Sequence, residues 1–127
     1  MMNPMKLWTR RQADTDAHLA DREHFTGEVT QLAVNDSTEP HPVRVYLVGF
    51  KAGARTHWHR HAGGQTLHVI EGSGRTQVRG QPEQQLQPGD TVTVEPGVEH
   101  WHGAAADRDM THVAVSLGGT EWGDPPA

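Results

Sequence analysis

His57, His59 and His61 alternate along one stretch of the chain, and His100 and His102 repeat the same spacing further on. In an extended strand, side chains two apart share a face, so each group can aim its imidazoles in one direction. Two such imidazoles can grip one ion. Gln65 lies four residues after His61 across a Gly-rich link, so its carbonyl oxygen is close enough to complete one side of a coordination sphere. A further ligand has to come from another strand, and His100 and His102, which follow the turn at Pro96 and Gly97, are the candidates. Cysteine is absent, so thiolate ligands, disulfides and Cys nucleophiles are excluded and any metal is held by nitrogen and oxygen. The chain has ten histidines, seven of them between His57 and His112; they are neither contiguous nor terminal, as a tag would be.

Short strands must position these groups. Gly and Pro punctuate the sequence at the rhythm of a sandwich or barrel. Residues 43–50 are rich in β-branched and aromatic side chains and read as a strand ending at a turn over 51–54. Residues 65–71, 75–79, 84–87, 91–95 and 110–117 read as further strands, with 75–79 and 84–87 forming a hairpin around Gly80 and Pro82. Before residue 40 the signals are weaker: residues 14–23 suit a helical turn or two, and 26–34 an edge strand. The reading is therefore all-β, with an N-terminal extension over 1–40 carrying edge strands, a barrel over 41–118 and an irregular, partly mobile tail over 119–127. On the strand over 110–117, His112 shares a face with Met110, Ala114 and Ser116. Val113, Val115 and Leu117 then point outward, and such apolar surface is expected to be covered by a second copy, giving a homodimer or homotetramer.

With 127 residues there is room for one domain. A net charge of -5 argues against a binder of the phosphate backbone of nucleic acid. No apolar run approaches the ~18 residues that cross a bilayer, and the first residues are not signal-like, so no membrane partner and a cytoplasmic location are expected.

Gly53, His59, His61, Gln65 and Gly72 fit, at every spacing, the first motif of the cupins, G-x5-H-x-H-x3-E-x6-G. Gly89, Gly97 and His100 resemble the second, G-x5-P-x-G-x2-H-x3-N. Three positions depart: Gln65 replaces the usual Glu, Glu95 occupies the motif's Pro position with Pro96 one place later, and Ala104 replaces the final Asn. The resemblance implies a jelly-roll barrel, the double-stranded β-helix of cupins, and the ligand set His59, His61, Gln65 and His100 around one divalent transition metal per subunit. Manganese is preferred, with iron, nickel, cobalt or zinc as the alternatives. A neutral amide in place of a carboxylate leaves the full double charge on the ion, which strengthens it as a Lewis acid and opposes oxidation.

The segments at Phe25–Gly27, Gly53–Thr56, Trp58–His59, Gly64–Leu67, Pro88–Asp90, His100–Ala105 and Met110–His112 are similar to those of small bacterial cupins that include manganese-dependent hydroxynitrile lyases. That resemblance implies a lyase acting on a small hydroxynitrile or carbonyl substrate, the metal serving as Lewis acid and an imidazole moving the proton. His112 is the first candidate for the imidazole and His102 the second. The alternatives are a cupin dioxygenase and a non-catalytic small-molecule-binding barrel. His57 lies outside the motif and is expected to face solvent as readily as the pocket. Trp58 and Trp101 are expected to point away from the site, and Tyr46, Val48, Leu67 and Ser116 are further pocket candidates.

Overall fold

The computed structural model describes residue 7, residues 9–37 and residues 42–127. In chain order the elements are α1 (Arg10–Asp16), β1 (His18–Leu19), β2 (Phe25–Thr26), β3 (Val29–Ser37), β4 (Val43–Phe50), β5 (Arg55–Thr56) and β6 (His59–His61). They continue as β7 (Gln65–Gly72), β8 (Gly74–Val78), β9 (Gln84–Leu86), β10 (Thr91–Val94), β11 (His100–Ala104), β12 (Met110–Leu117) and β13 (Thr120–Trp122). One antiparallel sheet runs β1-β3-β4-β12-β7-β10; the other runs β13-β6-β11-β5-β2, with β8 also on β11 and β9 on β8. The chain is all-β apart from the one short helix among the described residues, as the strand rhythm predicts. No helix among them is long and apolar enough to cross a membrane.

Strand β12 shows how the interior is divided. Its burial alternates, so Met110, His112, Ala114 and Ser116 face inward while Val113 and Val115 are half-buried on the outer face and Leu117 is exposed. The inward row is apolar at one end and polar at the other. Met110 belongs to a cluster with Phe25, Val29, Phe50, Val69 and Leu86 that fills one end of the barrel. Ser116 pairs across the sheet with Gln65 on β7 and Arg44 on β4. Directly paired residues share a face, so all three project into the space between the sheets at the other end.

Two N-terminal expectations need correction. The helix is α1, earlier than residues 14–23, because Thr9 and Gln12 form a capping box that fixes its start. Strand β3 is not an edge: it lies between β4 and the two-residue β1. Residues 1–6, 8 and 38–40 of the expected extension, and residue 41 at the start of the expected barrel, lie outside the described residues. The tail is a larger correction. Residues 120–122 form β13, which pairs Thr120 with His61 and Trp122 with His59. It covers the edge of β6 that would otherwise stay unpaired. Beyond it, the Gly123 amide donates to the Trp58 carbonyl (2.7 Å) and the Trp58 amide to the Asp124 carbonyl (2.9 Å).

Two glycines fix the strands that carry functional groups. Gly64 has φ +89°, and a Cβ there would lie 2.8 Å from the Val94 carbonyl oxygen, so the link before Gln65 is a tight turn. Gly103 on β11 pairs with Arg55 on β5 so closely that a Cβ would sit 2.6 Å from the Arg55 Cα. Gly103→Ala must therefore push β5 from β11. It is expected to lower unfolding free energy by about 1–3 kcal/mol in urea titrations, the usual cost of overpacking.

Candidate metal centre

His59 on β6 pairs directly across the second sheet with His100 on β11, and His61 lies two residues along β6, so three imidazoles enter the barrel from one sheet. Gln65 enters from the facing sheet, on β7. The ligand atoms offered by His59, His61 and His100 lie within 4.8 Å of one another. Gln65 Oε1 is 2.8 Å from His100 Nε2, and the Gln65 side chain also neighbours His59 and His61. All four side chains are buried.

The groups behind each ligand determine which atom faces inward. His59 Nδ1 donates to the His57 carbonyl (2.8 Å), with the Thr56 hydroxyl at 3.3 Å. His100 Nδ1 donates to the Val98 carbonyl (3.0 Å), and His61 Nδ1 meets the Thr120 hydroxyl (3.0 Å). The Gln65 amide donates to Ser116 Oγ (2.9 Å), which turns its carbonyl oxygen toward the imidazoles. An Nδ1–H committed outward leaves Nε2 as an inward lone pair, the tautomer a metal requires.

The donor set fits a cation on two independent counts. His61 Nε2 is buried with no hydrogen-bond partner. His100 has a carbonyl acceptor at each of its two nitrogens, yet a neutral imidazole carries one proton. Burial, before all else, lowers the pKa of His100, so imidazolium is disfavoured and a cation between Nε2 and Gln65 Oε1 resolves the mismatch. Burial also holds His59 well below the usual histidine range, with His100 adding to the effect; it pushes His61 to about 4, aided by His100 and Arg44. Three nitrogens, one amide oxygen and no carboxylate make a set for one divalent metal ion.

A cavity of about 320 Å³ opens on this cluster. Its wall includes His59, His61, Gln65 and His102, with Arg44, Tyr46, Val48 and Ser116 from the facing sheet and Trp122 from β13. Of the four pocket candidates read from sequence, Leu67 does not line it; this side chain is fully buried in the barrel. His102 lies beside the cluster, its ring centroid 5.1 Å from that of His59, and its Nε2 is buried without a hydrogen-bond partner. Behind it, His112 Nε2 lies 2.9 Å from His102 Nδ1, and Phe50 packs on the His112 ring at 5.2 Å. His112 is fully buried and does not line the cavity, so His102 stands between it and any ligand. Burial lowers both pKa values: that of His102 falls well below 6.5, where His112 and the cluster add to the effect, and that of His112 to about 4.

His57 is buried rather than solvent-facing and serves through its backbone: the amide donates to the His24 carbonyl (2.8 Å) and the carbonyl orients His59. Trp58 and Trp101 turn away from the cluster, as expected. The Arg79 guanidinium lies 4.7 Å over Trp58, and Trp101 is flanked by Arg55 and Arg75. Sequence reasoning missed Trp122, Arg44 and Thr120. Trp122 stacks on His24 (4.3 Å) and leans on the His59 ring (4.7 Å).

Manganese(II) at about one hundred times its dissociation constant is expected to stabilise the fold by about 2.7 kcal/mol. Thermal melts should show the gain vanish in His59→Ala, His61→Ala and His100→Ala. Metal-free protein is expected to lose stability as pH falls from about 6.5 to about 4. Over that window unfolded histidines bind protons while His61 and His112 in the fold do not, and proton uptake favours the unfolded state. Urea midpoints measured across this range check the sign.

Residues 46–116 match the family model described as "Cupin domain". The chain is 44% identical over 91 residues to a protein named (R)-mandelonitrile lyase from Granulicella tundricola, covering 72% of this chain and 70% of that one. Among solved structures, a cupin-like protein from Thermotoga maritima superposes with TM-score 0.80 at 41% identity, covering 84% of both chains. An acetylacetone dioxygenase from Acinetobacter johnsonii superposes with TM-score 0.77 at 16% identity over 98% of this chain and 82% of that one, a likeness of fold alone. Two facing antiparallel sheets, both histidine motifs and these matches agree: the chain belongs to the cupin family.

Proposed function

We propose that this cupin is a metal-dependent lyase that cleaves or forms a small hydroxynitrile. One observation carries the reading: a buried imidazole edge, His102 Nε2, lies unpartnered at the wall of the cavity into which the three-histidine, one-glutamine cluster opens. The relative named (R)-mandelonitrile lyase supports the substrate class. The divalent ion, for which manganese is the preferred identity, supplies Lewis acidity toward the substrate's oxygen when bound.

The protein's own residues manage the proton. In cleavage, His102 Nε2 takes the hydroxyl proton of the hydroxynitrile. The O–H electron pair becomes the second bond of the carbonyl, the carbon–carbon bond to the nitrile breaks, and its pair leaves on cyanide. The His102 imidazolium then returns the proton to cyanide, so aldehyde and hydrogen cyanide leave with no net proton change. His112 is a positioning residue here: with its Nε2 accepting from His102 Nδ1–H, the lone pair of His102 Nε2 faces the cavity. The cavity's apolar and aromatic surfaces, Phe25, Val48, Ala114 and Trp122, suit the organic part of such a substrate.

Benzaldehyde release from mandelonitrile, followed by absorbance, tests the reading. His102→Ala is expected to lower kcat by about 10²–10⁴-fold, the usual contribution of a positioned acid or base, with metal content unchanged. Because burial keeps His102 neutral, the acid limb of kcat/KM should lie below pH 6.5. Metal-loaded protein that releases no aldehyde, while consuming oxygen with a diketone, would favour a dioxygenase.

A further inference from the structure

Arg44 brings a positive charge into the cavity that the lyase reaction as described does not use. Its place follows from register. Arg44 on β4 pairs directly with Ser116 on β12, whose hydroxyl holds the Gln65 amide, so the arginine projects to the same interior face. It lines the cavity with His61 and Gln65 and is half-buried. From one nitrogen, Nη2, the guanidinium donates to the Gly118 carbonyl (2.9 Å) and the Thr120 hydroxyl (2.7 Å), and Thr120 in turn touches His61. Two neutral acceptors thus aim the group without neutralising it.

No carboxylate among the described residues lies within ion-pair distance of Arg44. Asp36, its cross-strand neighbour on β3, is exposed and neighbours Tyr46. Asp21, the carboxylate of the cavity wall, accepts from the His24 amide (2.9 Å) and faces the His24 ring (3.2 Å). The ligand set adds no negative charge either, since its members are three imidazoles and an amide. An ion bound there keeps both charges, and Arg44 adds a third within the same small space. A guanidinium with free N–H groups presents the fork that matches a carboxylate.

We infer that Arg44 is a specificity-determining residue that receives a carboxylate on the substrate, so that the cavity takes small hydroxynitrile or carbonyl compounds bearing an acid group. This rests on the cavity being the substrate site, and it extends the lyase reading without depending on its chemistry. The third charge supplies what a neutral aryl hydroxynitrile does not need.

Calorimetry on the manganese-loaded chain with mandelate and mandelamide tests it, because the two probes share a ring, a hydroxyl and a carbonyl and differ in charge. Mandelate is expected to bind at least about tenfold more tightly than mandelamide, the scale of one charged hydrogen-bonded contact. Arg44→Met should erase that preference while leaving mandelamide affinity within about twofold, which reports an intact cavity, and Arg44→Lys should restore part of it. A preference that persists in Arg44→Met, through coordination to the metal alone, overturns the inference; so does mandelate that fails to outbind mandelamide in the natural chain. Aldehyde release is read separately, so an Arg44-dependent preference without lyase turnover keeps the carboxylate site and removes the reaction.

Discussion

Five neutral imidazoles packed side by side between two sheets set the terms for the rest of this molecule. Ring centroids stand 4.4 Å apart for His59 and His100, 4.9 Å for His59 and His61, and 4.9 Å for His102 and His112. A proton on any one would place charge in a space that burial has dried, next to rings that could become charged in turn. The fold avoids this by taking the Nδ1 protons of His59 and His100 outward to carbonyls. The consequence is that lone pairs converge on one point, an arrangement that a cation stabilises. The ion is thus the natural counterpart, at the polar end of the barrel, of the Phe50, Val69 and Met110 cluster at the other.

That convergence depends on strand register more than on any single ligand. The pairing of His59 with His100 and of Gln65 with Ser116 fixes both walls. A slip of one residue in β6 would turn Arg60, now exposed, into the barrel in place of the two histidines. The tight turn at Gly64, the close approach at Gly103 and the β13 strap each remove such a slip. The strap does more than brace: Trp122 walls the cavity, and Thr120 holds His61 of the cluster.

Much of this was legible in the sequence, for identifiable reasons. Residues 43–50 and 110–117 are long and rich in β-branched side chains, so the strands β4 and β12 coincide with their reading. The ligand spacing survives because two-residue periodicity is a property of the strand itself. What escaped depends on contacts distant in sequence. The tail from residue 119, rich in Gly and Pro, has no strand signal of its own and becomes β13 through pairing with β6. His112 reads as facing the site because it is inward on β12; that His102 intervenes is a matter of depth, which periodicity does not encode. Arg44 sits in a strand whose alternation is blurred by Tyr46 and by half-burial on both faces, so nothing local marks it as interior.

The absence of a carboxylate from the candidate donor set shapes its chemistry as well as its charge. A glutamate at position 65 would offset part of a bound ion's charge and could itself accept a proton; the amide does neither, and its NH2 group donates to Ser116 Oγ. In the proposed lyase reaction the proton must then move through another group of the cavity. Asp21 is engaged by His24, and in the cluster His59, His61 and His100 each turn Nδ1 to a group behind the ring, which leaves only Nε2 facing inward, where a cation would sit. His102 is left as the wall residue with a free nitrogen, and His112 behind it governs which tautomer it adopts. One substitution, Glu to Gln at a motif position, therefore leaves the histidine cluster without a carboxylate and keeps the cavity electropositive for whatever enters it.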